Sequence, residues 1–229
     1  MKQTSKTRSA DFFPYGRLHQ AFKQAWRIAV LALGVILLPG AAPASETQLI
    51  VMLGDSLTAG YGLAQQNSLP AKLQARLQAD GLDVRIVNAG VSGDTTSGGL
   101  ARLDWALAEP PSHVIVALGG NDGLRAIDPA LTADNLDRII TDLKSRGIAV
   151  LLAGMRAPPN LGRDYATEFD RIYPRLSAKH GIALYPFLLD GVAASADLNQ
   201  SDGIHPNADG VDIIVERLSP YVIRLLQKN

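Results

Sequence analysis

Five short apolar runs punctuate the chain, at Leu49–Leu53, Val84–Val87, Val114–Leu118, Ile148–Leu152 and Ile182–Phe187. They are rich in Val, Ile and Leu, and most lack strict alternation, as expected of strands buried on both faces. Between them the apolar period changes to that of helices. Leu69, Leu73 and Leu77 mark a first helix ended by Gly81. Leu100, Leu103 and Leu107 mark a second ended by Pro110-Pro111. Leu136, Ile139, Ile140 and Leu143 mark a third, with Thr132 as its expected N-cap and Gly147 as its stop. Phe169, Ile172, Tyr173 and Leu176 mark a fourth that stops at Gly181, and a last helix follows Pro206, with a bend or break expected at Pro220.

Strands alternating with helices predict parallel βαβ units with right-handed crossovers. The expected fold is α/β: a three-layer α/β/α sandwich around a five-stranded parallel sheet of order 2-1-3-4-5, as in flavodoxin. Ligands of such sheets bind beyond the carboxyl ends of the strands at the switch point, here between the first and third strands. The residues just after Leu53 and Leu118 are therefore suspects before any motif is considered.

Composition narrows the chemistry. Hydrophobic residues make up 47% and charged residues 19%, enough apolar material for a packed core. There are 22 basic and 22 acidic residues, so no basic excess points to nucleic acid. Cysteine is absent, which excludes disulfides, thiolate metal sites and a thiol nucleophile. The neutral total hides an asymmetry. Lys2, Lys6, Arg8, Arg17, Lys23 and Arg27 face only Asp11 in residues 1–44, leaving a net charge of −5 for residues 45–229. The basic start, the apolar run Ile28–Leu38 and the small-residue end Ala42-Pro43-Ala44 have the order of a secretory signal peptide. As a helix the apolar run reaches about 16 Å, too short for a hydrocarbon core of about 30 Å. Cleavage after Ala44 is expected, with residues 45–229 as one exported domain. The bacterial periplasm is the expected compartment, because a cysteine-free protein is indifferent to oxidation.

Four polar clusters stand at loops. The first strand runs into Gly54-Asp55-Ser56-Leu57, where a serine hydroxyl is exposed over the sheet edge; an ordinary N-cap is the competing reading. The second ends in Asn88-Ala89-Gly90-Val91-Ser92-Gly93-Asp94, before a helix capped by Asp94 or Thr95. This is neither a Walker A loop nor a dinucleotide-binding fingerprint. The third ends in Gly119-Gly120-Asn121-Asp122-Gly123, which offers either a turn or an uncharged amide with two N–H donors. The fourth is Ser201-Asp202-Gly203-Ile204-His205-Pro206-Asn207. Pro206 keeps His205 out of helical geometry, and an Asp three residues before a His can accept from one ring nitrogen and leave the other free. A metal pair is the weaker alternative, since two ligands lack a third. Of the remaining histidines after the leader, His113 is expected at the surface and His180 in the last turn of a helix, where positive charge is welcome.

Together the clusters resemble the GDSL family in its SGNH form, through Gly54-Asp55-Ser56-Leu57, Gly93, Gly119-Gly120-Asn121-Asp122 and Asp202 to His205, in the family's order. The runs from Gly54 to Tyr61 and from Gly119 to Arg125 look most like the periplasmic thioesterase I/lysophospholipase branch, often called arylesterase. Ser56 lacks the G-x-S-x-G elbow of α/β-hydrolases. The resemblance implies Ser56 as nucleophile, His205 as general base and then acid, and Asp202 as the orienting carboxylate. It also implies an oxyanion hole of the Ser56 and Gly93 backbone N–H groups and the Asn121 amide. The chemistry is consistent: a hydroxyl needs a base to take its proton, and imidazole as a class can accept and return one near neutrality.

The expected reaction is acyl transfer to water, from oxygen esters or thioesters, with no metal or organic cofactor. Leu57, Tyr61, Met155 and Pro158 are candidate contacts for an acyl chain, and Leu63, the rest of the Met155–Leu161 loop and the Leu188–Leu198 segment are further candidate walls. Medium to long acyl esters and lysophospholipids are the implied substrates of a monomer that binds no nucleic acid and is not membrane-inserted once the leader is gone. Two alternatives stand beside this reading. One is a carbohydrate acetylesterase acting on cell-wall polysaccharide; the other is a non-catalytic binding protein that keeps the fold.

Overall fold

The computed structural model describes residues 47–227. The leader and its cleavage point lie outside the described residues. The sheet comprises β1 (Gln48–Gly54), β2 (Val84–Gly90), β3 (His113–Ala117), β4 (Ala149–Ala153) and β5 (Ala183–Tyr185). All neighbours run parallel, in the order β2-β1-β3-β4-β5, as expected from the alternation of apolar runs and helices. Every residue of β3 is buried, and so is most of β1 and β4, because helices cover both faces.

Helix α1 (Ser56–Ala59) follows β1 directly, and α2 (Leu69–Ala79) buries Leu69, Leu73 and Leu77 against β2. The segment after β2 forms two helices, α3 (Thr96–Ala101) and α4 (Leu103–Ala106), where the apolar spacing predicted one. The break falls at Arg102, whose side chain turns inward to backbone and carboxylate partners. Next come α5 (Gly120–Leu124) and α6 (Pro129–Ser145). Helix α6 starts earlier than expected. Asp128 is its N-cap, accepting from the Ala130 N–H at 2.8 Å, and Pro129 takes the first position, where a missing N–H costs nothing. Thr132 lies inside the helix and is buried.

The fourth helical pattern also divides, into α7 (Arg163–Asp170) and α8 (Ile172–His180), with Gly181 closing α8 in the left-handed conformation. The last helix, α9 (Ala208–Leu226), continues through Pro220, so the chain does not break there. Proline removes the N–H that would bond the Glu216 carbonyl. The Ser219 hydroxyl donates to that same carbonyl at 3.3 Å, so the acceptor is not orphaned. Helix α9 packs with α2 on one side of the sheet, and α6 packs with α3 and α8 on the other. His113 is a further correction: it is 1% exposed, because it begins the fully covered central strand rather than a surface loop. Burial lowers its pKa.

Candidate active site

The carboxyl ends of β1, β2 and β3 lie level, with Gly54 opposite both Gly90 and Ala117. Helix α1 is seated directly on these ends, and two glycines make room for it. A Cβ on Gly54 would fall 2.0 Å from Thr58 Oγ1 and 3.0 Å from the Ala117 carbonyl; one on Gly90 would fall 2.2 Å from the Ala59 backbone nitrogen. Asp55 caps α1, its Oδ1 accepting from the Leu57 N–H at 3.0 Å. Ser56 is thus the first residue of a short helix held against bare backbone, with Gly60 (φ +81°) ending it.

The fourth loop reaches Ser56 from the far end of the sequence. His205 Nε2 lies 2.9 Å from Ser56 Oγ, and His205 Nδ1 lies 2.7 Å from Asp202 Oδ2. The other Asp202 oxygen accepts from the Ile204 and His205 backbone N–H groups, at 2.9 and 3.0 Å. These backbone donors, His205 first, together with the imidazole, hold the Asp202 carboxyl down at about 2. It stays ionised at neutral pH, so the facing ring nitrogen carries the hydrogen and Nε2 is left to accept from the serine.

Sequence reasoning overlooked how this loop is braced. The Gln200 side-chain amide donates to the Tyr61 carbonyl at 2.8 Å and to the Pro206 carbonyl at 3.0 Å. The Tyr61 ring lies over the imidazole, 4.7 Å between centroids. A glutamine 139 residues from its partner gives no local signal. Gly62 leaves room for the brace, since a Cβ there would fall 2.1 Å from Gln200 Oε1.

Gly93 and Asn121 belong to the loops after β2 and β3. Val91 to Asp94 form a turn closed by the Asp94 N–H on the Val91 carbonyl at 3.1 Å. Gly93 is its third residue at φ +85°, a conformation that disfavours any side chain. Its carbonyl accepts from Arg125 Nη2 at 2.8 Å. Asn121, in the first turn of α5, places its amide nitrogen 3.3 Å from Asp55 Oδ2. The next residue, Asp122, is buried and ties α5 to α3 by accepting from the Thr96 N–H at 2.9 Å and the Thr96 hydroxyl at 2.5 Å. Burial pushes the Asp55 carboxyl up to about 6, against the pull of the Leu57 N–H, the Asn121 amide and His205.

Leu57, Tyr61 and Leu63 line a cavity of about 10 Å³ with Ser56 and His205, room for about one water. Met155 and Pro158 are not among its lining residues. Met155 is buried in the core beyond β4, and Pro158 packs toward Gly123 of α5. A larger groove of about 910 Å³ lies between α6 and the α7–α8 pair, lined by charged residues such as Asp134 and Arg175, and Ser56 is not among its walls. Among the described residues no three His, Asp or Glu side chains cluster as metal ligands.

The sequence profile of the GDSL-like Lipase/Acylhydrolase family matches residues 52–213. The chain is 40% identical over 199 residues to Esterase TesA of Pseudomonas aeruginosa, covering 86% of this chain and 99% of that protein. It is 39% identical over 206 residues to Thioesterase 1/protease 1/lysophospholipase L1 of Escherichia coli K12, covering 88% and 97%. Among solved structures, AlinE4, an SGNH-hydrolase family esterase, superposes with a TM-score of 0.67 at 49% identity, covering 79% of this chain and 97% of its own. Profile, relatives and architecture agree with the residues at the strand ends: the chain belongs to the GDSL-like lipase/acylhydrolase family and is an ester-hydrolysing enzyme.

Proposed function

We propose that the protein hydrolyses carboxylic esters and thioesters through an acyl-Ser56 intermediate. The carrying observation is the relay of Ser56 Oγ, His205 and Asp202 at 2.9 and 2.7 Å. As Ser56 Oγ attacks the acyl carbon, its proton passes to His205 Nε2. The carbonyl oxygen takes the displaced electron pair. The Ser56 and Gly93 N–H groups and the second amide hydrogen of Asn121 receive it, the first being directed at Asp55. The intermediate collapses, and the alcohol or thiol leaves with the proton from His205. Water then repeats the cycle on the acyl-serine and releases the acid. Asp202 holds the ring tautomer and stabilises the imidazolium without taking the proton.

The names of the relatives support acyl esters, thioesters and lysophospholipids as the substrate range. Tyr61, half exposed beside His205, and Leu57 are proposed as acyl contacts because both flank Ser56; Met155, buried in the core, and Pro158, packed toward Gly123, have no such observation in their favour. The order of basic, apolar and small residues in 1–44 supports export to the periplasm, to be checked by N-terminal sequencing of exported protein, and sedimentation tests the expected monomer. No described helix is long and apolar enough to cross a membrane.

The test is Ser56→Ala, assayed on p-nitrophenyl esters of increasing chain length, a lysophospholipid and an acyl-CoA. Hydrolysis should fall by several orders of magnitude and labelling by a fluorophosphonate should vanish, with the fold intact. A folded variant with near-normal turnover refutes the assignment.

A further inference from the structure

We propose that Asp94 and Arg102 are a positioning pair for acyl transfer, anchoring the turn that carries Gly93 to the strand end that carries Ser56. The inference rests on the reading of Gly93 and Ser56 given above. It starts from one carbonyl. The Gly54 oxygen, two residues before Ser56, accepts the Val91 N–H at 3.1 Å and Arg102 Nη2 at 2.9 Å. Arg102 Nε meets Asp94 Oδ2 at 2.5 Å. Val91 and Asp94 are the two ends of the turn around Gly93. Both ends are therefore held to the same oxygen, one directly and the other through the guanidinium.

The pair is built in rather than laid on the surface. Its side chains are 16% and 17% exposed. Gly98 leaves the space: a Cβ there would fall 2.5 Å from Asp94 Oδ1. Thr95, not Asp94, caps α3, which frees the Asp94 carboxylate for Arg102. Among the described residues Arg102 Nη1 is buried with no hydrogen-bond partner. A cation held with one donor unanswered is a poor way to gain stability, because desolvation offsets much of the attraction. It is a good way to fix geometry, because the planar fork reaches two acceptors in set directions. The turn needs such fixing. Glycine restricts its own backbone angles less than any other residue, and a donor misplaced by about 1 Å can cost about 10²-fold in rate.

The experiment measures kcat and KM of Arg102→Ala, Arg102→Lys and Asp94→Asn on a p-nitrophenyl ester. Active sites are counted by fluorophosphonate titration, so that unfolded protein does not contribute. Arg102→Ala and Asp94→Asn should each lower kcat per titrated site about 10- to 100-fold, with KM within about twofold. The double variant should be little worse than either single one, and added guanidinium should restore part of the Arg102→Ala rate but none of the Asp94→Asn rate. Arg102→Lys keeps the charge without the fork and should fall between. If kcat per titrated site stays within twofold of wild type while thermal stability drops, the pair is merely structural and the proposal falls. A rise in KM alone also overturns it. Failure of the underlying reading would appear separately, as undiminished labelling in Ser56→Ala.

Discussion

The Asn121 amide nitrogen lies 3.3 Å from Oδ2 of Asp55, a carboxylate that is 1% exposed and directly precedes Ser56. Both loops of the switch point thus meet at one partly buried contact. An amide with one hydrogen directed to a fixed acceptor has its second hydrogen aimed as well, which an oxyanion donor needs. Gly120 keeps the approach open, since a Cβ there would fall 3.1 Å from the same oxygen.

Asn121→Ala removes that donor. Its kcat on a p-nitrophenyl ester should fall about 10²-fold or more with little change in KM. A change confined to KM would mean that the amide binds substrate rather than the developing charge.

Asp55 links the site to pH. Its folded pKa of about 6 stands above the ordinary 3.8, so the fold holds this proton more tightly than the unfolded chain does. Stability from this group is absent above about pH 6, grows as pH falls through that value and is complete below about 3.8. The span corresponds to about 3 kcal/mol. Urea unfolding from pH 7 to 4 should show wild type gaining on Asp55→Asn, which lacks the titration. Parallel curves would show that Asp55 does not titrate in this window.

Asp202 behaves oppositely. With its pKa held down at about 2, its contribution is present above about 3.8 and is lost as pH falls through about 2. Turnover should show no inflection from this carboxylate between pH 5 and 9. Asp202→Asn, which favours the wrong ring tautomer, should lower kcat about 10³-fold or more. A loss below tenfold would remove Asp202 from the relay.

Gly54→Ala tests the seat of α1. The added methyl meets Thr58 and the Ala117 carbonyl, so the helix must lift. Unfolding free energy should drop by about 1–3 kcal/mol, and kcat should fall as Ser56 leaves His205. An unchanged rate in a less stable protein would show that the helix tilts without moving the hydroxyl.

The strand order and the four polar loops were legible because a parallel sheet covered on both faces leaves bare apolar runs, and each run must end in a loop at the same edge. What escaped was of two kinds. Side-chain periodicity records burial, not backbone path, so Leu100, Leu103 and Leu107 looked like one helix although the chain bends at Arg102. Thr132 and Asp128 are both good caps, and only the proline after Asp128 decides between them. The second kind is contact across sequence distance. Arg102 reaches Gly54 over 48 residues and Asn121 reaches Asp55 over 66, and no local pattern marks either pair. The candidate acyl contacts divided similarly: Leu57 and Tyr61 adjoin Ser56 in sequence and line the small cavity beside it, whereas Met155, placed by loop position alone, is buried away from that cavity.

Asp202 and His205 ride one tight bend, joined to each other by backbone as well as side-chain hydrogen bonds. If that bend swings outward, imidazole and carboxylate travel together and the ring keeps its orientation. The links to Ser56 and to the Tyr61 ring would be severed while the imidazole kept its carboxylate, so the proposed base would be ready as soon as the bend returned.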